Sequence, residues 1–239
     1  MPDVSLLLPL AGIGVVAGFL AGLLGVGGGL IIVPAMVWVL EAAGVTHQVQ
    51  HLALGTSLAV MVFTSFASVR AHHARGAVDW SIVKRMAPAM IVGMLVGSQI
   101  AGWIPSHDLK WFFVVYAYVI ALQMLADKKP QGGRPLPGPL GLWSSGGVIG
   151  VISSFVGIGG GSMSVPFMSW CNVPMPRAIA TSAALGWPIA VAGAVGYVIS
   201  GWHAPDLPPG AVGFVYLPGL LALSVVTVLV APQGARLAH

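Results

Sequence analysis

Long uncharged stretches, separated by short charged loops, dominate the pattern of this chain. The uncharged runs cover residues 4–40, 42–69, 86–107, 111–126, 135–176, 178–205 and 207–235. Because about 20 apolar residues cross a bilayer as a helix, the pattern predicts an all-α polytopic membrane protein. Single helical spans are expected at about 52–69, 86–104, 110–126, 178–199 and 211–231. Two longer segments, 4–40 and 140–170, exceed the length of one span and contain helix breakers.

Both long segments carry the same glycine-rich motif. AGLLGVGGGLIIVP at 21–34 returns as SSFVGIGGGSMSVP at 153–166, with six identical positions at a constant offset of 132. Glycine runs interrupt helices, and a bilayer tolerates interrupted backbone only where protein or a cavity satisfies its polar groups. The motif therefore predicts a break at each copy, followed by shorter helices that begin near Leu30 and Ser162.

The similarity extends beyond the motif and predicts two homologous helical repeats, each beginning with a glycine-broken helix or a re-entrant hairpin. Thr56 and Ser57 return as Thr181 and Ser182, and Gln99 returns as Gln233. We expect a first transmembrane repeat at 1–126, a cytoplasmic linker at 127–139 and a second transmembrane repeat at 140–239. The second half stops after the segment that precedes span 110–126 in the first half, so a final helix is expected to be missing.

The basic residues predict the orientation, because Lys and Arg concentrate in cytoplasmic loops. Four lie in loop 70–85 and three lie in the linker. If Arg177 is also cytoplasmic, segment 140–170 enters and leaves the membrane on one side, and the repeats are inverted. If that segment crosses once, the repeats are parallel. The charge distribution favours the inverted arrangement.

Composition excludes several classes of function. Apolar residues make up 57% of the chain and charged residues 7%, and the mean hydropathy is +0.93. The net charge of +4 comes from loop residues and does not indicate nucleic-acid binding. The single Cys171 excludes an internal disulfide, and His47 and His51 have no carboxylate or thiol beside them to complete a metal site. With no nucleophile–base pair, the chain is predicted to be neither an enzyme nor a cofactor-binding protein.

The duplicated breaks are the candidate binding site. A glycine run at a helix start leaves backbone N–H groups unpaired at the positive end of a helix dipole, which suits a small oxyanion. The alternative is that these glycines only permit close helix packing and that the hydroxyls only bond nearby backbone. Duplication at matching places favours a transport site. The predicted substrate-binding residues are Gly25, Gly27, Gly28, Gly29, Thr56, Ser57, Gly157, Gly159, Gly160, Gly161, Ser162, Thr181 and Ser182, with His51 as a candidate proton relay and Arg177 as a candidate for anion attraction.

These motifs resemble the TauE/SafE sulfite exporter family. The resemblance rests on GLLGVGGGLIIVP and FVGIGGGSMSVPFM, each followed by a Thr-Ser pair, on ARGAVDW at 74–80 and on VAPQGARLAH at 230–239. It implies a multi-pass protein of a bacterial inner membrane that moves small sulfur-containing anions such as sulfite, thiosulfate or organosulfonates. Export is favoured over import. A channel-like pore for small anions or neutral solutes is the alternative.

Overall fold

The protein is a bundle of helices, seen in a computed structural model that describes residues 12–20, 28–125 and 135–237. Residues 12–20 form α1. The later helices are α2 (Gly29–Ala42), α3 (Val49–His73), α4 (Trp80–Trp103), α5 (Ser106–Leu125), α6 (Pro139–Val156), α7 (Gly161–Trp170), α8 (Met175–Ser200) and α9 (Leu217–Leu237). Strands β1 (Ala211–Val212) and β2 (Val215–Tyr216) form one short antiparallel hairpin before α9.

Four of the described helices, α3, α4, α6 and α8, are long and apolar enough to cross a membrane. Large apolar side chains cover the outer surface: Trp103, Leu125 and Leu140 are each more than 80% exposed. A surface of this kind suits lipid and not water. The all-α polytopic membrane fold is therefore confirmed. One boundary is wrong, because residues 211–216 form the β-hairpin and the helix predicted at 211–231 starts only at Leu217.

Helices α4 and α6 run side by side in the same direction. A Cβ added to Gly146 would lie 3.0 Å from the Met86 carbonyl oxygen, and one added to Gly150 would lie 2.3 Å from the Met90 carbonyl oxygen. Later on both helices, Gly97 faces Ser154. Residue numbers rise together along the contact, which makes the pair parallel.

Helix α8 also runs parallel to α4 and antiparallel to α3. Along α4, Ser98 faces Gly196 and Gly102 faces Ser200. Along α3, Gly55 faces Tyr197, whereas the later Ser65 faces the earlier Gly186. We call the end of the bundle that carries the basic loop between α3 and α4 the cytoplasmic end, and the opposite end the outer end. Helices α4, α6 and α8 all begin at the cytoplasmic end.

Because α6 and α8 run in the same direction, the chain between them must return, and α7 makes this return. A Cβ at Gly160 would lie 3.4 Å from the Ile149 side chain, seven residues before α6 ends. Helices α6 and α7 are thus the long and short arms of a re-entrant hairpin that opens toward the cytoplasmic end. This is the hairpin geometry that the inverted arrangement requires, and the antiparallel course of α3 and α8 agrees with it. Homology of the two halves stays a prediction.

Helices α1 and α2 also run in opposite directions, on the side of the bundle nearer the outer end. Gly14 of α1 faces Val226 of α9, and Gly18, one turn later, faces Thr227. Helix α9 follows α3 in direction, because Thr56 bonds Tyr216 just before α9 and the later Thr64 bonds the later Thr227, with 2.9 Å between the two hydroxyl oxygens. Helix α2 runs the other way, from Gly29 toward the start of α9, where Gly219 faces Met36.

Close packing of α4 on α6 predicts a sharp difference between two glycines on one helix. We expect Gly150→Ala to destabilise the protein by about 1–3 kcal/mol, because its methyl group would overlap the Met90 backbone and force the helices apart. Gly147→Ala is the matched control, since a Cβ at Gly147 would lie 4.0 Å from its nearest neighbour, the Ala89 carbonyl oxygen. Thermal unfolding in detergent measures both, and equal melting temperatures would contradict the packing described here.

Candidate functional site

Each described helix break ends in a glycine with left-handed backbone. Gly28, the N-cap of α2, has φ 78°, and Gly160, the N-cap of α7, has φ 73°. Gly157, at the end of α6, has φ 68°. Residues with a Cβ rarely adopt this conformation, which explains why the motif is built from glycine. The helices predicted from about Leu30 and Ser162 begin one residue earlier, at Gly29 and Gly161.

The two breaks touch each other inside the bundle. A Cβ added to Gly29 would lie 2.5 Å from the Gly157 carbonyl oxygen and 3.1 Å from the Cα of Ile158. The contact is therefore backbone against backbone. Gly159, in the same turn, faces Met61 and Gly186, which lie at the middle of α3 and α8. The breaks meet near the membrane midplane.

Two helices begin close to this contact: the start of α2 lies against the Gly157 carbonyl, and α7 begins four residues later at Gly161. Gly28 O accepts hydrogen bonds from the N–H groups of Ile31 and Ile32, and Gly160 O accepts from Met163 and Ser164. The N–H groups of the first residues of α2 and α7 precede these bonds and have no intrahelical acceptor. Since α2 runs toward the outer end and α7 toward the cytoplasmic end, both positive dipole ends lie at the midplane.

Serine hydroxyls form hydrogen bonds to the second break, which is the turn at residues 157–160 between α6 and α7. Ser57 Oγ donates to Gly157 O at 3.0 Å, so α3 holds the turn directly. Ser164 Oγ donates to Gly160 O at 2.8 Å and lies 2.9 Å from Ser182 Oγ on α8. Ser162, in the first turn of α7, lies 2.5 Å from the Tyr116 hydroxyl. The structure thus brings the predicted residues Ser57, Ser162 and Ser182 to the break.

The two predicted threonines lie elsewhere and form matching bonds. Thr56 Oγ1 accepts the Tyr216 N–H at 2.9 Å, and Thr181 Oγ1 accepts the Asp79 N–H, also at 2.9 Å. Each threonine is buried about two turns inside its helix. Thr56 ties α3 to the segment before α9 near the outer end. Thr181 ties α8 to the start of α4 near the cytoplasmic end.

The remaining predicted residues do not join the break. His51 is buried near the outer end, where its Nε2 lies 3.0 Å from Ala101 O and its ring stacks on Phe214 at 4.8 Å. Arg177 is exposed in the first turn of α8 at the cytoplasmic end. Gly25 and Gly27 lie outside the described residues.

The polar side chains buried inside this mainly apolar bundle are uncharged. Across the described residues, the buried polar side chains are serines and threonines with Gln50, His51 and His72, and no Asp, Glu, Lys or Arg is among them. Any anion at the midplane would therefore meet hydroxyl and backbone dipoles alone. Tyr116 is the residue that the sequence reasoning missed, although a hydroxyl in an apolar span is a signal in its own right.

Comparison with known proteins places the chain in a family. The model of the family described as "Sulfite exporter TauE/SafE" matches residues 10–239. The chain belongs to this family. The TauE/SafE family is one of membrane transporters, and the protein is accordingly a membrane transporter by family.

Relatives of the TauE/SafE chain come from several organisms. A "Probable membrane transporter protein" of Haemophilus influenzae is 34% identical over 225 residues, which cover 93% of this chain and 85% of that protein. "Probable membrane transporter protein YunE" of Bacillus subtilis is 28% identical, over 83% of this chain and 82% of its own length. A probable membrane transporter of Methanocaldococcus jannaschii is 26% identical, over 95% of this chain and 82% of its own. No solved structure matches the chain significantly.

Proposed function

We propose that this protein is a secondary transporter or facilitator that exports small sulfur-containing anions, such as sulfite, thiosulfate or organosulfonates, across a bacterial inner membrane. The observation that carries the proposal is that α2 and α7 both begin inside the bundle, beside the contact between the two breaks. The family description supports a sulfur oxyanion as the substrate.

Binding by these N-termini needs no positively charged side chain. First-turn N–H groups and the positive end of a helix dipole attract an anion, each charge–dipole interaction contributing about 0.3–1 kcal/mol at exposed sites and more when buried. The hydroxyls of Ser57, Ser162 and Ser182 lie close to the second break, and each would donate to an anion on leaving its present partner. A site built from dipoles holds an anion weakly enough to release it, which transport requires.

The direction of transport follows from the membrane potential. An anion that leaves an interior-negative cell gains about 2.3 kcal/mol per charge per 100 mV. Import would need a coupled cation or proton, for which buried carboxylates are the usual carriers. The described interior holds buried hydroxyls, one buried glutamine and two buried histidines in place of carboxylates. Export driven by the potential is therefore the mode that this interior favours.

The transport cycle that we propose alternates access to the midplane from the two ends. The backbone contact between Gly29 and Gly157 closes the centre of the bundle. Motion of one hairpin relative to the other would separate these residues and admit an anion between the two N-termini.

Proteoliposomes test this function directly. We expect the purified protein to accelerate sulfite flux, with saturation at high concentration and with faster flux when the potential drives the anion outward. Unlabelled sulfite on the far side should stimulate uptake of labelled sulfite, because a carrier exchanges substrate as it returns. Saturating flux without this trans-stimulation would favour the channel-like alternative. Flux equal to that of protein-free liposomes for sulfite, thiosulfate and organosulfonates would refute the proposal.

A further inference from the structure

A pocket of about 490 Å³ lies between α5, α6 and α7. One end of the pocket is formed by Gln123 near the end of α5, Ser144 near the start of α6 and Trp170 at the end of α7. All three lie toward the cytoplasmic end. The other end is formed by Tyr116 and Ser162. The pocket therefore follows the short arm of the second hairpin from the cytoplasmic end to the first turn of α7.

Polar groups occur at both ends of this pocket, and the wall between them is apolar. Ser144 and Ser145 line it near the cytoplasmic end with Gln123, and the hydroxyls of Tyr116 and Ser162 line its inner end. The other lining residues are apolar, among them Ile120, Met163 and Phe167. Polar side chains at membrane depth commonly line water-filled cavities. Polar groups at both ends of a mainly apolar wall distinguish this pocket from a surface that contacts lipid alone.

The inner end of the pocket is closed by one hydrogen bond. The Tyr116 hydroxyl and Ser162 Oγ lie 2.5 Å apart, so one hydroxyl donates to the other. An arriving anion can accept from both hydroxyls at once. Hydrogen bonds to a charged group are stronger than those between neutral groups, so the anion replaces the Tyr116–Ser162 bond with two better ones. Tyr116 is then free to move away from the first turn of α7.

We propose that this pocket is the cytoplasmic vestibule through which the anion reaches the α7 N-terminus, and that Tyr116 is the positioning residue that closes its inner end. The proposal rests on the proposed function, because it assigns an entrance to the same midplane site. In this role Tyr116 does more than support the fold. When its bond to Ser162 breaks, the Ser162 hydroxyl becomes available to the anion.

Cysteine labelling tests whether the vestibule contains water. Cys171 is the only cysteine of the chain, so Cys171→Ser gives a background without thiols. Into this background we would introduce Ile120→Cys and Met163→Cys, which face the pocket, and Leu122→Cys, which is 63% exposed on α5 and does not line the pocket. The reagent is an anionic, membrane-impermeant methanethiosulfonate applied to the cytoplasmic face of inside-out vesicles.

We expect the two pocket positions to react at least tenfold faster than Leu122→Cys, and sulfite to slow their labelling. Equal, slow labelling at all three positions would overturn the vestibule and show that lipid fills the pocket. This readout does not require transport. If sulfite flux is present and the pocket remains unreactive, the vestibule fails while the proposed function stands. If flux is absent and the pocket reacts, the pocket is an aqueous cavity but not an entrance for sulfite, and the proposal fails with the proposed function.

Tyr116→Phe separates the positioning role from support of the fold. We expect it to raise the KM for sulfite presented at the cytoplasmic face about tenfold, since a hydrogen bond to a charged group is lost, and to leave the KM at the outer face unchanged. Ile120→Val, in the same wall, is the matched control. Equal changes in KM at both faces, or none at either, would contradict a role for Tyr116 at the entrance.

Discussion

Gly29→Ala is expected to reduce sulfite flux in proteoliposomes by about ten- to a hundredfold. The added methyl group would lie 2.5 Å from the Gly157 carbonyl oxygen, and a backbone atom cannot move aside as a flexible side chain can. Forced overlap of this kind costs about 1–3 kcal/mol, and each 1.4 kcal/mol is a factor of ten. The start of α2 would be pushed away from the turn that precedes α7, and the anion would lose the donors of α2.

Gly12→Ala is the control for this result, because nothing lies within 4 Å of a Cβ at Gly12. Gly29 has ordinary helical backbone, so the substitution tests the contact between the breaks and not the conformation of the glycine. Melting temperature in detergent distinguishes loss of flux from loss of fold. A Gly29→Ala protein that is stable and transports sulfite like the unmodified protein would show that the meeting of the two breaks is not the binding site.

Thr56→Val and Thr181→Val are expected to shift the equilibrium between the outward-open and inward-open forms in opposite directions. Thr56→Val leaves the buried Tyr216 N–H without its acceptor near the outer end. Thr181→Val does the same to the Asp79 N–H near the cytoplasmic end. An unsatisfied buried donor costs about 1–3 kcal/mol, enough to change the ratio of two conformations by about 5- to 150-fold. In an alternating-access cycle, loss of the outer bond should favour the outward-open form, and loss of the cytoplasmic bond the inward-open form.

The measurement is the rate of labelling at Met163→Cys in the Cys171→Ser background, from the cytoplasmic face. Thr181→Val should increase that rate and Thr56→Val should decrease it. Thr56→Ser and Thr181→Ser are the controls, because they keep the accepting hydroxyl. Changes of the same sign in both valine variants would argue against bonds that hold opposite ends of the bundle.

Thr56 and Thr181 show what the sequence pattern could predict and what it could not. They occupy matching places in the two halves of the sequence, and the structure shows that they form equivalent hydrogen bonds. Their partners, Tyr216 and Asp79, are distant along the chain and carry no signal of their own, because a backbone N–H is present at every residue except proline. The prediction that Thr56 and Thr181 bind substrate stays a prediction, and the role of a bond between helices was not foreseen.

Local physical chemistry in the sequence was sufficient for the membrane fold and for the position of the helix breaks. Hydrophobic length predicts spans, and left-handed backbone demands glycine, so α2 and α7 begin within one residue of the predicted starts. The return of α7 alongside α6, the contact of Gly29 with Gly157 and the approach of Tyr116 to Ser162 depend on how helices pack. Such contacts join residues that are far apart in the chain, and many apolar surfaces of similar composition would serve equally well as partners. Only the tertiary structure selects among them, and it brings the start of α2 against the turn between α6 and α7 inside the bundle.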